Sequence, residues 1–164
     1  MSRISPCLWY NGQAEEAARF YVATFGDGSV DAVSRYPEGS PVPAPFKAGD
    51  VLVVEFTLFG QSYQALNGGP EFGFTEALSL SVSCKDQAEL DRYFDALTAD
   101  GGSPGPCGWL KDKYGLSWQL VSQEIMDLYK TGNGPGIQRM MAVMMTMQKL
   151  DLGRMKAAFE GETP

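Results

Sequence analysis

The chain has 164 residues, 44% apolar and 20% charged, with a net charge of −7 and no histidine. This is an ordinary globular mixture, long enough to bury roughly 70% of its unfolded surface without disulfides or a structural metal. The negative charge disfavours nucleic acid and anionic membranes as partners, and the missing histidine removes the Ser-His-Asp triad, the two-histidine zinc helix and the two-histidine iron site.

The first segment, Met1-Ser2-Arg3-Ile4-Ser5-Pro6, lacks the apolar core of a signal peptide. No apolar run approaches the ~20 residues of a membrane span, so a cytoplasmic protein is expected. Residues 4–10 read as a strand, with Ile4, Leu8 and Tyr10 on one side and Cys7 and Trp9 on the other. Asn11-Gly12 ends it, and Asn11 is positioned to cap a helix over 13–25. Ala14, Ala17, Ala18, Tyr21 and Phe25 share one face of that helix, and Glu15 and Glu16 suit its first turn. Residues 28–36 read as a strand. Pro37, Pro41, Pro43 and Pro45 make the next stretch a loop. Val51–Phe59 is rich in β-branched and aromatic residues and reads as a strand, and 62–67 as another.

The order then restarts. Residues 77–84 alternate, with Leu78, Leu80, Val82 and Cys84 opposite Ala77, Ser79, Ser81 and Ser83, as in a sheet packed on one face. Asp86 and Glu89 have capping-box spacing ahead of Leu90, Tyr93, Phe94 and Leu97. Gly101-Gly102 stops that helix, and strands follow at about 104–112 and 116–122. Gln13-Ala14-Glu15 recurs as Gln87-Ala88-Glu89, a weak echo beside the stronger repetition of element order. Beyond 124 the spacing predicts helices over 124–129, 137–147 and 151–160, with Gly132–Gly136 as a linker. Six of the eight methionines fall between 140 and 155. Ile137, Met140, Met141 and Met144 form a stripe that packs either on its own domain or at a subunit interface. The expected organisation is one compact unit made of residues 1–70, 71–123 and a helical tail, 124–164. Cys7, Cys84 and Cys107 form no paired motif, which points to small buried hydrophobes rather than disulfides or a zinc site.

Three stretches carry a family resemblance: Ile4–Ala17 with Phe20-Tyr21, Cys107–Val121, and Met140 through Asp151. In these the chain resembles the PhnB-like branch of the vicinal-oxygen-chelate superfamily, the glyoxalase and bleomycin-resistance proteins, often labelled demethylubiquinone methyltransferases. The resemblance implies an α+β fold of two βαβββ modules, whose mixed sheets curl around a cleft with the helices outside. It also implies a homodimer. Metal-using relatives take four ligands from the first and last strands of each module. Here those strands offer Cys7 or Trp9, Gln64, Ser79 or Ser81, and Gln119. Such a set lacks imidazole and carboxylate, so no tightly held metal and no other cofactor is expected.

Trp9, Gln64, Asn67, Ser79, Ser81, Trp109, Trp118 and Gln119 could instead line a cleft for a small organic ligand, with aromatic walls and a few hydrogen-bonding groups. Glu55, Asp112 and Tyr114 are the candidates for acid–base work, although Asp112 and Tyr114 also fit a hairpin turn. The leading expectation is a small-molecule binding protein. An enzyme of the superfamily (a lyase, isomerase or transferase) with atypical metal ligands and a dimeric interaction protein are the alternatives. Gly132-Asn133-Gly134-Pro135-Gly136 does not sit between a strand and a helix, so it does not suggest a nucleotide-like cofactor.

Overall fold

The computed structural model of the chain describes residues 3–162. It divides into two compact units, Met1–Phe74 and Thr75–Pro164.

The first unit contains β1 (Cys7–Tyr10), α1 (Ala14–Phe25), β2 (Gly28–Arg35), β3 (Val51–Leu58) and β4 (Gln61–Asn67). The sheet order is β1-β4-β3-β2, with β1 parallel to β4 and the other pairs antiparallel. Because side chains alternate along a strand, Leu8, Tyr10, Val54, Phe56, Leu58 and Ala65 turn to one face and are buried. Helix α1 covers that face with Ala14, Ala17, Ala18, Tyr21 and Phe25, the stripe read from the sequence.

The cap of α1 differs from expectation. The residue before the helix is Gln13, whose side chain makes no capping bond. Asn67, at the end of β4, does the work instead. Its Oδ1 accepts from Gly12 N at 2.9 Å and Ala14 N at 3.0 Å, while its Nδ2 donates to Val51 O at 3.0 Å. One buried amide thus ties the ends of β4 and β3 to the start of α1.

The second unit contains β5 (Ser79–Cys84), α2 (Gln87–Thr98), β6 (Ser103–Pro104), β7 (Trp109–Lys111), β8 (Ser117–Ser122), α3 (Gln123–Leu128), α4 (Gly134–Met144) and α5 (Leu152–Glu160). Its sheet, β5-β8-β7-β6, repeats the pattern of the first, with β5 parallel to β8. Val82, Cys84, Leu110, Trp118 and Leu120 are buried, as are Leu90, Tyr93, Phe94 and Leu97 of α2. Asp86 caps α2 by accepting from Glu89 N at 2.8 Å, and Glu89 reaches back to Lys85 N at 2.9 Å. The strand expected over 104–112 is instead two short strands, because Gly105–Gly108 turns back on itself, with Gly105 N bonded to Trp109 O.

The glycine-rich stretch near the C-terminus is not a linker. Asn133 caps α4 by accepting from Gly136 N at 3.1 Å. Pro135 sits in the first turn, where its missing N–H costs nothing. Of the methionine stripe, Met140 is fully buried and Met141 is exposed. Met147, Leu150, Leu152 and Met155 are also buried. The tail is fastened through Gln87, which bonds Leu150 O and Leu152 N, and through Lys149, which pairs with Asp91 and Asp95. Among the described residues, no helix is long and apolar enough to cross a membrane.

Candidate functional site

Strand register sorts the expected site residues onto faces. In the first unit Cys7, Gln64 and Glu55 occupy one cross-strand row, and Trp9 lies one pair further along the same face, away from α1. Trp9 is half-buried there. Its Nε1 donates to Gly69 O at 2.8 Å, and its ring meets Phe72 edge-on at 5.0 Å. It also lies so close over Gly68 that a Cβ at that glycine would come within 2.2 Å of the indole. Gln64 and Glu55 line a cavity of about 380 Å³ together with Asp31 and Thr57. Asp31 accepts from Ser29 and Thr57, bonds that hold its carboxyl below the usual range. Among the described residues, this cavity is walled by two carboxylates and no cation.

In the second unit Ser79, Ser117 and Lys111 form one row, and Ser81, Gln119 and Trp109 the next. Gln119 Nε2 donates to Ser79 Oγ at 2.8 Å. This face turns away from α2. It carries a second cavity, of about 400 Å³, walled by Trp109, Pro104, Pro106 and Leu110, with Ser103, Gly105, Ser117, Lys111 and Glu76 completing it. Lys111 Nζ pairs with Glu76, and that bond holds the Glu76 carboxyl below its usual range.

Ser117 is the informative member. It is 1% exposed, and its Oγ is, among the described residues, the buried side-chain polar atom without a hydrogen-bond partner. Native structures nearly always satisfy such groups, because leaving one dry costs about 1–3 kcal/mol. An unpartnered hydroxyl in the wall of a cavity is one that a bound molecule can satisfy.

Four expected residues are not on these faces. Trp118 is 1% exposed and packs on the helix side, where its Nε1 donates to Asp112 Oδ2 at 2.8 Å. The reason is strand parity: Trp118 and Gln119 are neighbours on β8 and must point oppositely. Asn67 is buried and committed to the cap of α1. Asp112 is buried, and its Oδ1 accepts from Tyr114 N and Leu116 N, so it builds the hairpin. Tyr114 is half-buried in that turn, with Lys113 Nζ 5.2 Å from its ring centre. Ser117, Lys111, Pro104 and Pro106 were not singled out in the sequence. The signal for the first two was present, since Lys111 shares a strand face with Trp109, and Ser117 with Gln119.

The row positions do not suit a tightly held divalent metal. The second unit offers hydroxyls and an amide there, and the first offers an amide, one carboxylate and Cys7, an exposed residue whose thiol is pushed up by partial desolvation. Among the described residues, no group of three or more cysteines, aspartates or glutamates is placed to hold a metal ion.

Comparison with known proteins fixes the family. The sequence profile described as 3-demethylubiquinone-9 3-methyltransferase matches residues 2–121. The chain belongs to this PhnB-like family. One similar solved structure is a putative 3-demethylubiquinone-9 3-methyltransferase, a PhnB protein from Bacillus cereus. It is 35% identical over 74% of this chain and 99% of that one, with a TM-score of 0.63. A Pseudomonas aeruginosa protein is 25% identical over 74% of this chain and 98% of its own, with a TM-score of 0.60. A glyoxalase/bleomycin resistance protein from Albidiferax ferrireducens is 15% identical over 73% of this chain and 96% of its own, at 0.47. No curated protein matches the chain. The two βαβββ modules are those expected of PhnB-like proteins, and the family match ends at Val121, before α3.

Proposed function

We propose that the protein binds a small organic acid in the cavity of the second unit. The observation that carries the proposal is the buried, unpartnered Ser117 hydroxyl in a cavity wall that joins apolar Trp109, Pro104 and Pro106 to the charged Lys111. The apolar body of the ligand packs against Trp109, Pro104 and Pro106. Its acidic group accepts a hydrogen bond from Ser117 Oγ and takes the place of the Glu76 carboxylate on Lys111. The size suits this reading, since pockets for small ligands run from about 300 to 1,000 Å³. The cavity of the first unit suits an acid less well, because Asp31 and Glu55 would repel it.

The methyltransferase activity in the family's description is not part of this reading. The glycine-rich stretch Gly132–Gly136, which has the composition of a phosphate loop, caps α4 instead of joining a strand to a helix.

The test is a titration of small aromatic and aliphatic carboxylates against their neutral amides, followed by tryptophan fluorescence. Carboxylates should bind and amides should not. Lys111→Met and Ser117→Ala should each weaken binding by roughly tenfold to a hundredfold, the value of a charge-assisted hydrogen bond. Unchanged affinity in both variants, or equal binding of acid and amide, would sink the proposal.

A further inference from the structure

The cavity that carries Ser117 also contains its own acid. Among the described residues that line it, Lys111 and Glu76 are the charged ones, and Lys111 Nζ is paired with the Glu76 carboxylate. The cavity's cation therefore already holds a carboxylate, supplied by the chain itself. The hydrogen bond from Lys111 also keeps the Glu76 carboxyl below its usual range.

The two partners are held very differently. Lys111 belongs to β7, in register with Ser103 of β6 on one side and Ser117 of β8 on the other. The next residue, Asp112, is buried and bonded to the hairpin. Glu76 stands in the turn before β5. Residues Thr75 to Leu78 are all exposed there, and the bond from Leu78 N to Thr75 O is long, at 3.4 Å. The sheet thus fixes the lysine, while the glutamate can swing away without breaking a strand. The pair is also weak enough to exchange. The Lys111 side chain is 41% exposed and that of Glu76 64%, and ion pairs so open to water are worth little.

We propose that Glu76 is an autoinhibitory carboxylate, a competitor built into the chain that an acid must displace from Lys111 in order to bind. This role rests on the acid-binding reading of the same cavity. An incoming acid exchanges one ion pair for another. Its net gain over Glu76 therefore comes from Ser117 Oγ and from packing on Trp109, Pro104 and Pro106. A small inorganic anion such as chloride lacks the apolar body and is kept off the lysine. A neutral molecule cannot replace Glu76 at all. Glu76 thereby sets selectivity as well as affinity, by penalising every occupant that does not offer both an anion and an apolar body.

The experiment is a benzoate titration followed by tryptophan fluorescence, at low and at high sodium chloride. It compares the full chain with Glu76→Gln, Lys111→Met and the double variant. Glu76→Gln should tighten binding about two- to fivefold, the worth of an exposed ion pair. The gain should shrink as salt rises, because the freed lysine is screened, and it should vanish when Lys111→Met is added. A glutamate that only shapes the turn would show neither dependence. Benzoate held equally or less tightly by Glu76→Gln, with Lys111→Met still weakening it, would overturn the competitor and leave the acid site standing. Benzoate bound by neither the parent nor Glu76→Gln would bring down the acid site and the competitor together.

Discussion

A single amide at Asn67 joins three elements, and a single carboxylate at Asp112 joins a turn to a buried indole. Both residues attract functional readings in the sequence because polar side chains near strand ends often face ligands. What decides against that is satisfaction of the side chain: Asn67 makes three hydrogen bonds and Asp112 at least three, all to the fold itself. Local pattern could not reveal the Asn67 cap, because the cap and the helix it closes are more than fifty residues apart. Asn67→Leu should leave the Gly12 and Ala14 amides and the Val51 carbonyl without their partner. The expected loss is about 2–4 kcal/mol in urea denaturation. A loss under about 1 kcal/mol would mean that water replaces the cap and that Asn67 is free for other work.

At the scale of elements, the periodic signals were legible. The buried faces of α1 and α2 are the residues their spacing indicates, and the Asp86 cap sits where the motif places it. Less legible were features set by contacts between segments, such as the splitting of the 104–112 strand and the start of α4 at Gly134. Packing of α2 on β5 has a consequence for pH. Cys84 is fully buried in the strand that leads into α2, and burial, with smaller contributions from Glu89 and Asp86, pushes its thiol up to about 12. The unfolded chain loses that proton near its ordinary value of 9.0, while the folded chain must keep it. Stability from this group is therefore complete below pH 9 and is lost as pH rises towards the folded value, at up to about 1.4 kcal/mol per unit. Urea denaturation at pH 8, 9 and 10 should show the decline in the parent and a flatter profile in Cys84→Ala. Parallel profiles would assign the alkaline loss to other groups.

For the molecule as a whole, the repeat of strand, helix and strands was readable from the residues, and the full βαβββ pair from the family resemblance; the structure shows the order, and the family match covers residues 2–121. The tail lies beyond that match. It supplies core residues to the second unit through Met140, Leu152 and Met155. The site was legible only in part. Trp109, Gln119, Ser79 and Ser81 do share one face with the cavity-lining Ser117 and Lys111, but Trp118 does not, because adjacent strand residues cannot point the same way. Ser117 itself escaped notice because a serine in a strand carries no local sign that its partner is absent.

The central claim is that Ser117 is unsatisfied for the sake of a ligand, and stability measures this without knowing what the ligand is. In urea denaturation of Ser117→Ala without ligand, removing a buried hydroxyl that lacks a partner should leave stability unchanged or raise it by up to about 2 kcal/mol. A loss of more than about 1 kcal/mol would show that the hydroxyl serves the fold, and the small-acid site built on it would fall.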